Sequence, residues 1–222
     1  MSREYLAATR FVDFDKTAVA SKAEELVAEL DRKDDASRAR ALFYFVRDEV
    51  PYHVPLALPS RRELRASTTL SRRRGFCISK ATLLVALGRA VGIPARLHFA
   101  DIRNHLLSPS LREFMGTDLF VFHGYAEFWL GGKWLKVNPA FDVALARDKG
   151  YVPVEFDGNS HAVFQPTDAT GNPHIEYVRD RGTFADVPYT EIIQAWFDTY
   201  RSAAWAATWA DRGSEKRGGV SR

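Results

Sequence analysis

The sequence has very little cysteine: Cys77 is the single one among 222 residues. One cysteine excludes an internal disulfide, a multi-cysteine metal site and a CxxC redox pair. Long apolar runs are also missing, because the most hydrophobic stretch, Ala81 to Ile93, is too short to cross a bilayer and contains Arg89. The first ten residues carry charge early and have no apolar centre, which predicts no signal peptide. We therefore expect a cytoplasmic protein with no membrane partner.

Neither sign of charge dominates the composition. Lys and Arg number 31 against 28 Asp and Glu, a formal net charge of +3, and 46% of residues are hydrophobic. These proportions are typical of a globular protein, and the length favours one well-buried domain over two small ones. We predict a single domain over residues 1–211, followed by a disordered tail at 212–222.

Basic residues concentrate in one tract, which precedes the cysteine and contains Arg61, Arg62, Arg65, Arg72, Arg73 and Arg74. Three interpretations stay open. The tract forms a solvated loop, or it attracts an acidic substrate or lowers the pKa of Cys77, or it binds nucleic acid. The last is disfavoured because no aromatic residue is interleaved among these arginines, so we predict no nucleic-acid partner.

Apolar residues at helical spacing predict three helices in the first 92 residues. The pair Ser21 and Glu24 has the form of a capping box, and the second helix is predicted to begin at Asp34 or Asp35 and to end before Pro51. Residues 51–74 are predicted to be an extended loop. The third helix begins at residue 77 and ends at Gly92; it is apolar nearly all round, which places it at the centre of the domain.

The pattern changes to strands after this helix. Residues 95–100 and 119–130 are predicted strands, separated by an irregular or briefly helical segment. The pair Gly131-Gly132 is typical of a two-residue hairpin turn, and residues 133–138 form the return strand. Short strands and loops are expected over residues 140–190, and a last helix from 191 to about Ala210.

The two-residue turn fixes the register of the hairpin, with Trp129 opposite Trp134, Glu127 opposite Lys136 and Tyr125 opposite Asn138. His123 lies on the same face, because side chains alternate along a strand. It is a diagonal neighbour of Asn138, within side-chain hydrogen-bond reach. The register thus predicts an asparagine that orients a histidine, a packed tryptophan pair, and an exposed ion pair between Glu127 and Lys136.

Cys77 is predicted at a helix N-terminus, where unpaired backbone N–H groups and the positive end of the helix dipole favour a thiolate. Its own N–H group is available to an oxyanion. A cysteine, a downstream histidine and a group that orients the histidine are the minimal set for covalent amide chemistry.

Two segments resemble the transglutaminase-like superfamily: RGFCISKATLLVALGRAVGIPARL is similar to its nucleophile helix, and HGYAEFWLGGKWLKVNPAFD to its histidine hairpin. The upstream RALFYFVRDEVPY is similar to the helix that leads into the core, so the likeness covers about residues 36–142. It implies an α+β, papain-like fold in which a buried nucleophile helix packs on an antiparallel sheet. It also implies Cys77 as nucleophile, His123 as base and Asn138 as orienting residue, where the family usually has Asp; Asp142 is the rival for that role.

The resemblance implies a transglutaminase-like cysteine peptidase, amidase or acyltransferase, acting on a peptide or amide substrate through a thioester. Hydrolysis is favoured over transfer to an amine by a transglutaminase or amide synthase, and a non-catalytic peptide-binding relative is the third possibility. By analogy with the family Tyr52 is the candidate oxyanion donor, and Tyr125 on the His123 face of the hairpin is the candidate substrate contact. We predict no metal and no cofactor, and the sequence favours no particular oligomeric state.

Overall fold

The computed structural model describes residues 2–32, 34–55 and 58–200. A 3-10 helix at Arg3–Leu6 precedes the regular elements, which are, in chain order, α1 (Thr17–Ala28), α2 (Asp35–Asp48), α3 (Ala66–Arg72), α4 (Cys77–Ala90), β1 (Ala95–Asn104), α5 (Pro109–Met115), β2 (Leu119–Leu130), β3 (Lys133–Val137), α6 (Val143–Lys149), β4 (Ile175–Phe184) and α7 (Tyr189–Thr199). No helix in these ranges is long and apolar enough to cross a membrane.

The four strands form one antiparallel sheet in the order β3-β2-β1-β4. Helix α4 packs against β1 and β2, and helices α1, α2 and α3 pack around α4. Buried residues from all these elements join in one hydrophobic core. The predicted α+β fold, with a buried helix on an antiparallel sheet, is confirmed.

Helix α4 is buried along nearly its whole length, as its all-round apolar pattern predicted. Its two buried cations bond to backbone carbonyls. Arg89 donates to the carbonyl oxygens of Ala7, Ala95 and Ala185 at 2.7 to 2.9 Å. Lys80 donates to the carbonyl of Arg47 at 3.0 Å. These contacts join the helix to four other segments of the chain, because buried donors must find acceptors.

The predicted hairpin register is confirmed from Leu130–Lys133 through Trp129–Trp134 to Ala126–Val137. Both turn glycines have positive φ, 56° and 80°, which only glycine adopts at low cost. The tryptophan rings pack edge to face at 5.4 Å. The expected ion pair between Glu127 and Lys136 is wrong: Glu127 is buried and bonds to Arg96 and His98 on neighbouring strand β1.

Several predicted boundaries differ from the structure. Helix α1 begins at Thr17, so Ser21 lies inside it and caps nothing. Residues 51–74 include helix α3, and residues 140–190 include helix α6 and the ten-residue strand β4. These elements are short or half-exposed, and their apolar periodicity is correspondingly weak. The predicted extension of α7 to Ala210 and the disordered tail lie outside the described residues, and the domain extent of 1–211 stays a prediction.

Candidate active site

Helix α4 and strand β2 approach each other closely at Gly124. A Cβ atom on this residue would lie 3.2 Å from the Cα atom of Ile78 and 3.0 Å from the ring of Phe99. Such close approach requires glycine. Ile78 follows Cys77, and Gly124 follows His123, so this contact brings the two predicted residues to one place. Both line the same cavity, of about 60 Å³, which we call the thiol pocket.

The thiol of Cys77 sits among the first backbone N–H groups of α4. The N–H groups of Cys77, Ile78 and Gly124 lower its pKa, as a helix N-terminus should. Burial acts in the opposite direction and is the larger effect. Although Cys77 keeps some exposed surface, its dense surroundings raise the pKa of the thiol to about 11. The expected thiolate is therefore not the resting form, because desolvation outweighs the helix end.

His123 follows a β-bulge in which Val121 and Phe122 together oppose the single residue Asp101. Phe122 has φ of 56°, a rare conformation for a bulky residue. Asp101 accepts the Phe122 N–H group at 3.0 Å and pairs with Arg181 at 2.8 Å. The bulge rotates the strand just before His123, so its imidazole reaches the thiol pocket.

Side chains of α7 complete the bulge. The Tyr200 hydroxyl accepts the N–H group of Val121 at 2.9 Å, and the Trp196 indole donates to the Val121 carbonyl at 3.1 Å. Sequence reasoning missed this support, since no glycine marks the bulge. The one available signal was Asp101, the single acidic residue of β1 and a buried one.

Asn138 is fully buried, and its amide lies 3.0 Å from Nε2 of His123, which confirms the predicted contact. Its Oδ1 atom accepts the N–H group of Ala140 at 3.1 Å, so the amide nitrogen is the atom that faces His123. An amide nitrogen only donates; Nε2 therefore accepts, and the ring proton lies on Nδ1.

Burial lowers the pKa of His123 to about 3. The imidazole is therefore neutral at physiological pH, like the thiol. Both members of the pair rest uncharged, because desolvation dominates and no ion pair among the described residues stabilises the charged form of either.

Tyr52 lines the thiol pocket, as its predicted oxyanion role requires. Burial, together with the neighbouring Cys77, raises its pKa well above 10, so its hydroxyl stays an O–H donor. Asp142 accepts the N–H group of Tyr52 at 2.9 Å and that of Leu145 at 2.8 Å. Both oxygens of Asp142 thus bond to Tyr52 and the start of α6. Of the two candidates for the orienting residue, Asn138 is the one that contacts His123.

Tyr125, the predicted substrate contact, is only 1% exposed. Its ring stacks on His98 at 4.7 Å and lies edge to face with Tyr177. It lines neither the thiol pocket nor the larger cavity beside it. The predicted substrate contact is therefore wrong. Tyr125 lies on the same strand face as His123, but His98 and Tyr177 cover its ring.

The arginine tract is partly helical and partly neutralised. Arg72 pairs with Glu63 at 3.0 Å, and Arg61 stacks over the ring of Tyr189 at 4.2 Å. The shift in the Cys77 pKa comes from burial and backbone N–H groups, so nothing in these contacts supports a role of the tract in that pKa. Within the described residues no three His, Cys, Asp or Glu side chains group as metal ligands; the metal-free site stays a prediction.

The fold and the site define a papain-like class, in which a buried helix presents a cysteine to a histidine on an antiparallel sheet. The chain belongs to the transglutaminase-like superfamily, whose family model matches residues 23–139, just over half of the sequence. No curated protein shows significant similarity to the chain.

Solved structures similar to the chain include a candidate cysteine protease from Cytophaga hutchinsonii, with a TM-score of 0.50 and 21% identity over 82% of this chain and 46% of that one. The periplasmic domain of TgpA from Pseudomonas aeruginosa has a TM-score of 0.39 and 23% identity over 55% of this chain and 42% of that one. The chain spans less than half the length of either. At 21% identity the likeness to the Cytophaga structure shows the fold alone.

Proposed function

We propose that the protein is a cysteine-dependent enzyme that transfers the acyl group of a peptide or amide through a thioester on Cys77, with water as the favoured acceptor. One observation carries the proposal: Cys77 and His123 line one pocket where α4 crosses β2, and Asn138 holds the far nitrogen of His123 at 3.0 Å. Membership of the transglutaminase-like superfamily supports the same chemistry.

The reaction would begin from a neutral pair. The step requires the tautomer protonated at Nε2, and hence a rotated Asn138 amide, so that Nδ1 of His123 is free to accept. As Sγ of Cys77 bonds to the substrate carbonyl carbon, its proton passes to Nδ1 of His123, and the carbonyl becomes an oxyanion. The Cys77 N–H group and the Tyr52 hydroxyl are the donors for this oxyanion. His123 then protonates the leaving nitrogen, and the C–N bond breaks to leave the thioester. Water, deprotonated by His123, attacks the thioester, and the acid and the free thiol are released.

A non-catalytic peptide-binding role is the second candidate, and the electrostatics favour it. A thiol with a pKa near 11 and an imidazole with a pKa near 3 form no resting ion pair. A papain-like enzyme usually relies on a thiolate. The catalytic proposal therefore requires that proton transfer accompany attack, or that substrate binding change the environment of the pair.

The test is intact-protein mass spectrometry after incubation with peptide and amide libraries. We expect a mass increase equal to one acyl group on wild type and none on Cys77→Ser. His123→Ala should lower turnover at least about a hundredfold. His105→Ala is the control, because His105 is exposed and pairs with Glu176.

A primary amine added during turnover should form no adduct if water is the acceptor; an amine adduct would favour the transglutaminase alternative. Full turnover by Cys77→Ser would contradict the proposal.

A further inference from the structure

A second cavity, of about 280 Å³, adjoins the thiol pocket. The two share the wall formed by Tyr52, Val54, Leu111, Phe120 and His123. The cavity begins at the imidazole and runs away from Cys77 towards α6. A group attached next to a carbonyl held at Cys77 would therefore enter it. We call this cavity the side pocket.

Apolar side chains form most of the side-pocket wall, among them Ile102, Leu107, Leu145, Phe141, Phe164 and Ile175. They come from β1, the segment before α5, α6, β4 and the loops around α6. A wall assembled from this many separate elements is a shaped cavity rather than an exposed patch.

Two polar side chains of the wall, Asn104 and Lys149, have partners within the protein. Oδ1 of Asn104 accepts the Leu106 N–H group at 3.0 Å. Lys149 is half-exposed and pairs with Asp148 at 2.9 Å. A charged or strongly polar side chain entering this cavity would lose much of its water against a mostly apolar wall, which is unfavourable.

We infer that the side pocket binds one large apolar side chain, aromatic or branched aliphatic, of the peptide substrate. The inference rests on the proposed function for the identity of the reaction but concerns a separate cavity. Its size fits a single side chain, since pockets for drug-sized ligands begin at roughly 300 Å³. The side chain could precede or follow the scissile amide, and the experiment separates these two positions.

The first measurement is binding, which does not require turnover. Fluorescein-labelled pentapeptides that carry Gly, Leu, Phe, Asp or Lys at one position are titrated against Cys77→Ala protein by fluorescence polarisation. We expect Phe and Leu to bind roughly ten- to a hundredfold tighter than Gly, as burial of one large apolar side chain provides. Asp and Lys should bind no better than Gly. Moving the varied residue to either side of a central amide identifies which position enters the pocket.

A cavity-filling variant makes the test specific. Leu145→Trp should fill the side pocket. The preference for Phe over Gly should fall at least tenfold, while the affinity for Gly peptides should change less than twofold. Ala144→Trp is the matched control, because Ala144 lies on the exposed side of the same helix. Equal binding of all five peptides, or a Phe preference that survives Leu145→Trp, would overturn the inference.

Turnover of the same peptides by wild type keeps the two proposals apart. Apolar-selective binding without turnover or a thioester would leave the side pocket supported and the proposed function wrong. Turnover with no preference at any position, unchanged in Leu145→Trp, would leave the proposed function standing and the side pocket without this role.

Discussion

A single residue, Asn138, determines which ring nitrogen of His123 carries the proton. Its Oδ1 atom accepts the Ala140 N–H group, so its amide nitrogen donates to Nε2 and keeps the ring proton on Nδ1. A base that takes a proton at Nδ1 needs its other proton on Nε2, facing an acceptor. In this sequence the amide must rotate to provide that acceptor, and the rotation removes the bond to Ala140.

Asn138→Asp should relieve this conflict, because one carboxylate oxygen can accept from Ala140 while the other accepts from Nε2. The negative charge should raise the pKa of His123, and an imidazolium should lower that of Cys77. We expect the rate of alkylation by iodoacetamide at pH 7 to rise at least about tenfold.

The Asn138→Asp measurement is the pH profile of alkylation between pH 5 and 10. Asn138→Ala is the control, since it removes the contact without adding an acceptor, and it should not gain thiol reactivity. A profile of Asn138→Asp that superposes on wild type would show that Asn138 does not set the protonation of the pair.

Among the helices and strands, the contact of α4 with β2 sets the position of His123 relative to Cys77. Gly124→Ala would place a Cβ atom 3.2 Å from the backbone of α4, so the strand must move by a few tenths of an ångström. His123 is adjacent and would move with it. We expect kcat to fall about tenfold to a hundredfold, since small misplacements of reacting groups are costly, with a stability loss of about 1–3 kcal/mol.

Gly88→Ala is the matched control for this prediction. It lies further along the same interface, where a Cβ atom would meet the ring of Phe128 at 2.4 Å. It should destabilise the protein at least as much as Gly124→Ala and leave kcat of the folded fraction nearly unchanged. Urea unfolding of both variants measures the loss of stability, and kinetics corrected for the fraction of active enzyme measure kcat. Equal losses of kcat would mean that the close approach at Gly124 has no special bearing on the site.

Sequence reasoning found the hairpin and the nucleophile helix because both depend on local rules. A two-residue Gly-Gly turn fixes register, and an all-round apolar helix must be buried. It missed the bulge before His123, since Asp101 and Arg181 meet across the sheet from distant parts of the chain. It also overestimated the helix end at Cys77, because the desolvation that raises the thiol pKa depends on packing that no local pattern displays.

Lys80 affects the stability of the whole molecule, because it is a fully buried cation in the central helix. Desolvation lowers its pKa to about 7, against attraction from Asp142 and Asp48, while Arg47 acts with desolvation. The unfolded chain holds this proton up to about pH 10. Between pH 7 and that value the unfolded state binds more protons than the folded state, so the free energy of unfolding should rise with pH.

Lys80→Met should remove that pH dependence. In wild type we expect the free energy of unfolding to rise by about 1–2 kcal/mol from pH 7 to 8.5, since one proton corresponds to about 1.4 kcal/mol per pH unit. The folded forms of His123 and His174, whose pKa burial lowers to about 3 and about 4, do not titrate in this window. The thiol opposes the rise by at most about 0.5 kcal/mol, because its folded pKa is about 11 whereas the unfolded thiol begins to ionise near pH 8.5. At pH 6 the free energy of unfolding of the variant should equal or exceed that of wild type, because removing a desolvated charge offsets the lost bond to the Arg47 carbonyl.

Urea titrations at four pH values measure how the free energy of unfolding changes with pH. Lys133→Met is the control; it lies at an exposed position and should keep the wild-type pH dependence. A flat wild-type profile over this window would mean that Lys80 stays protonated in the folded protein and that its acidic neighbours outweigh its burial.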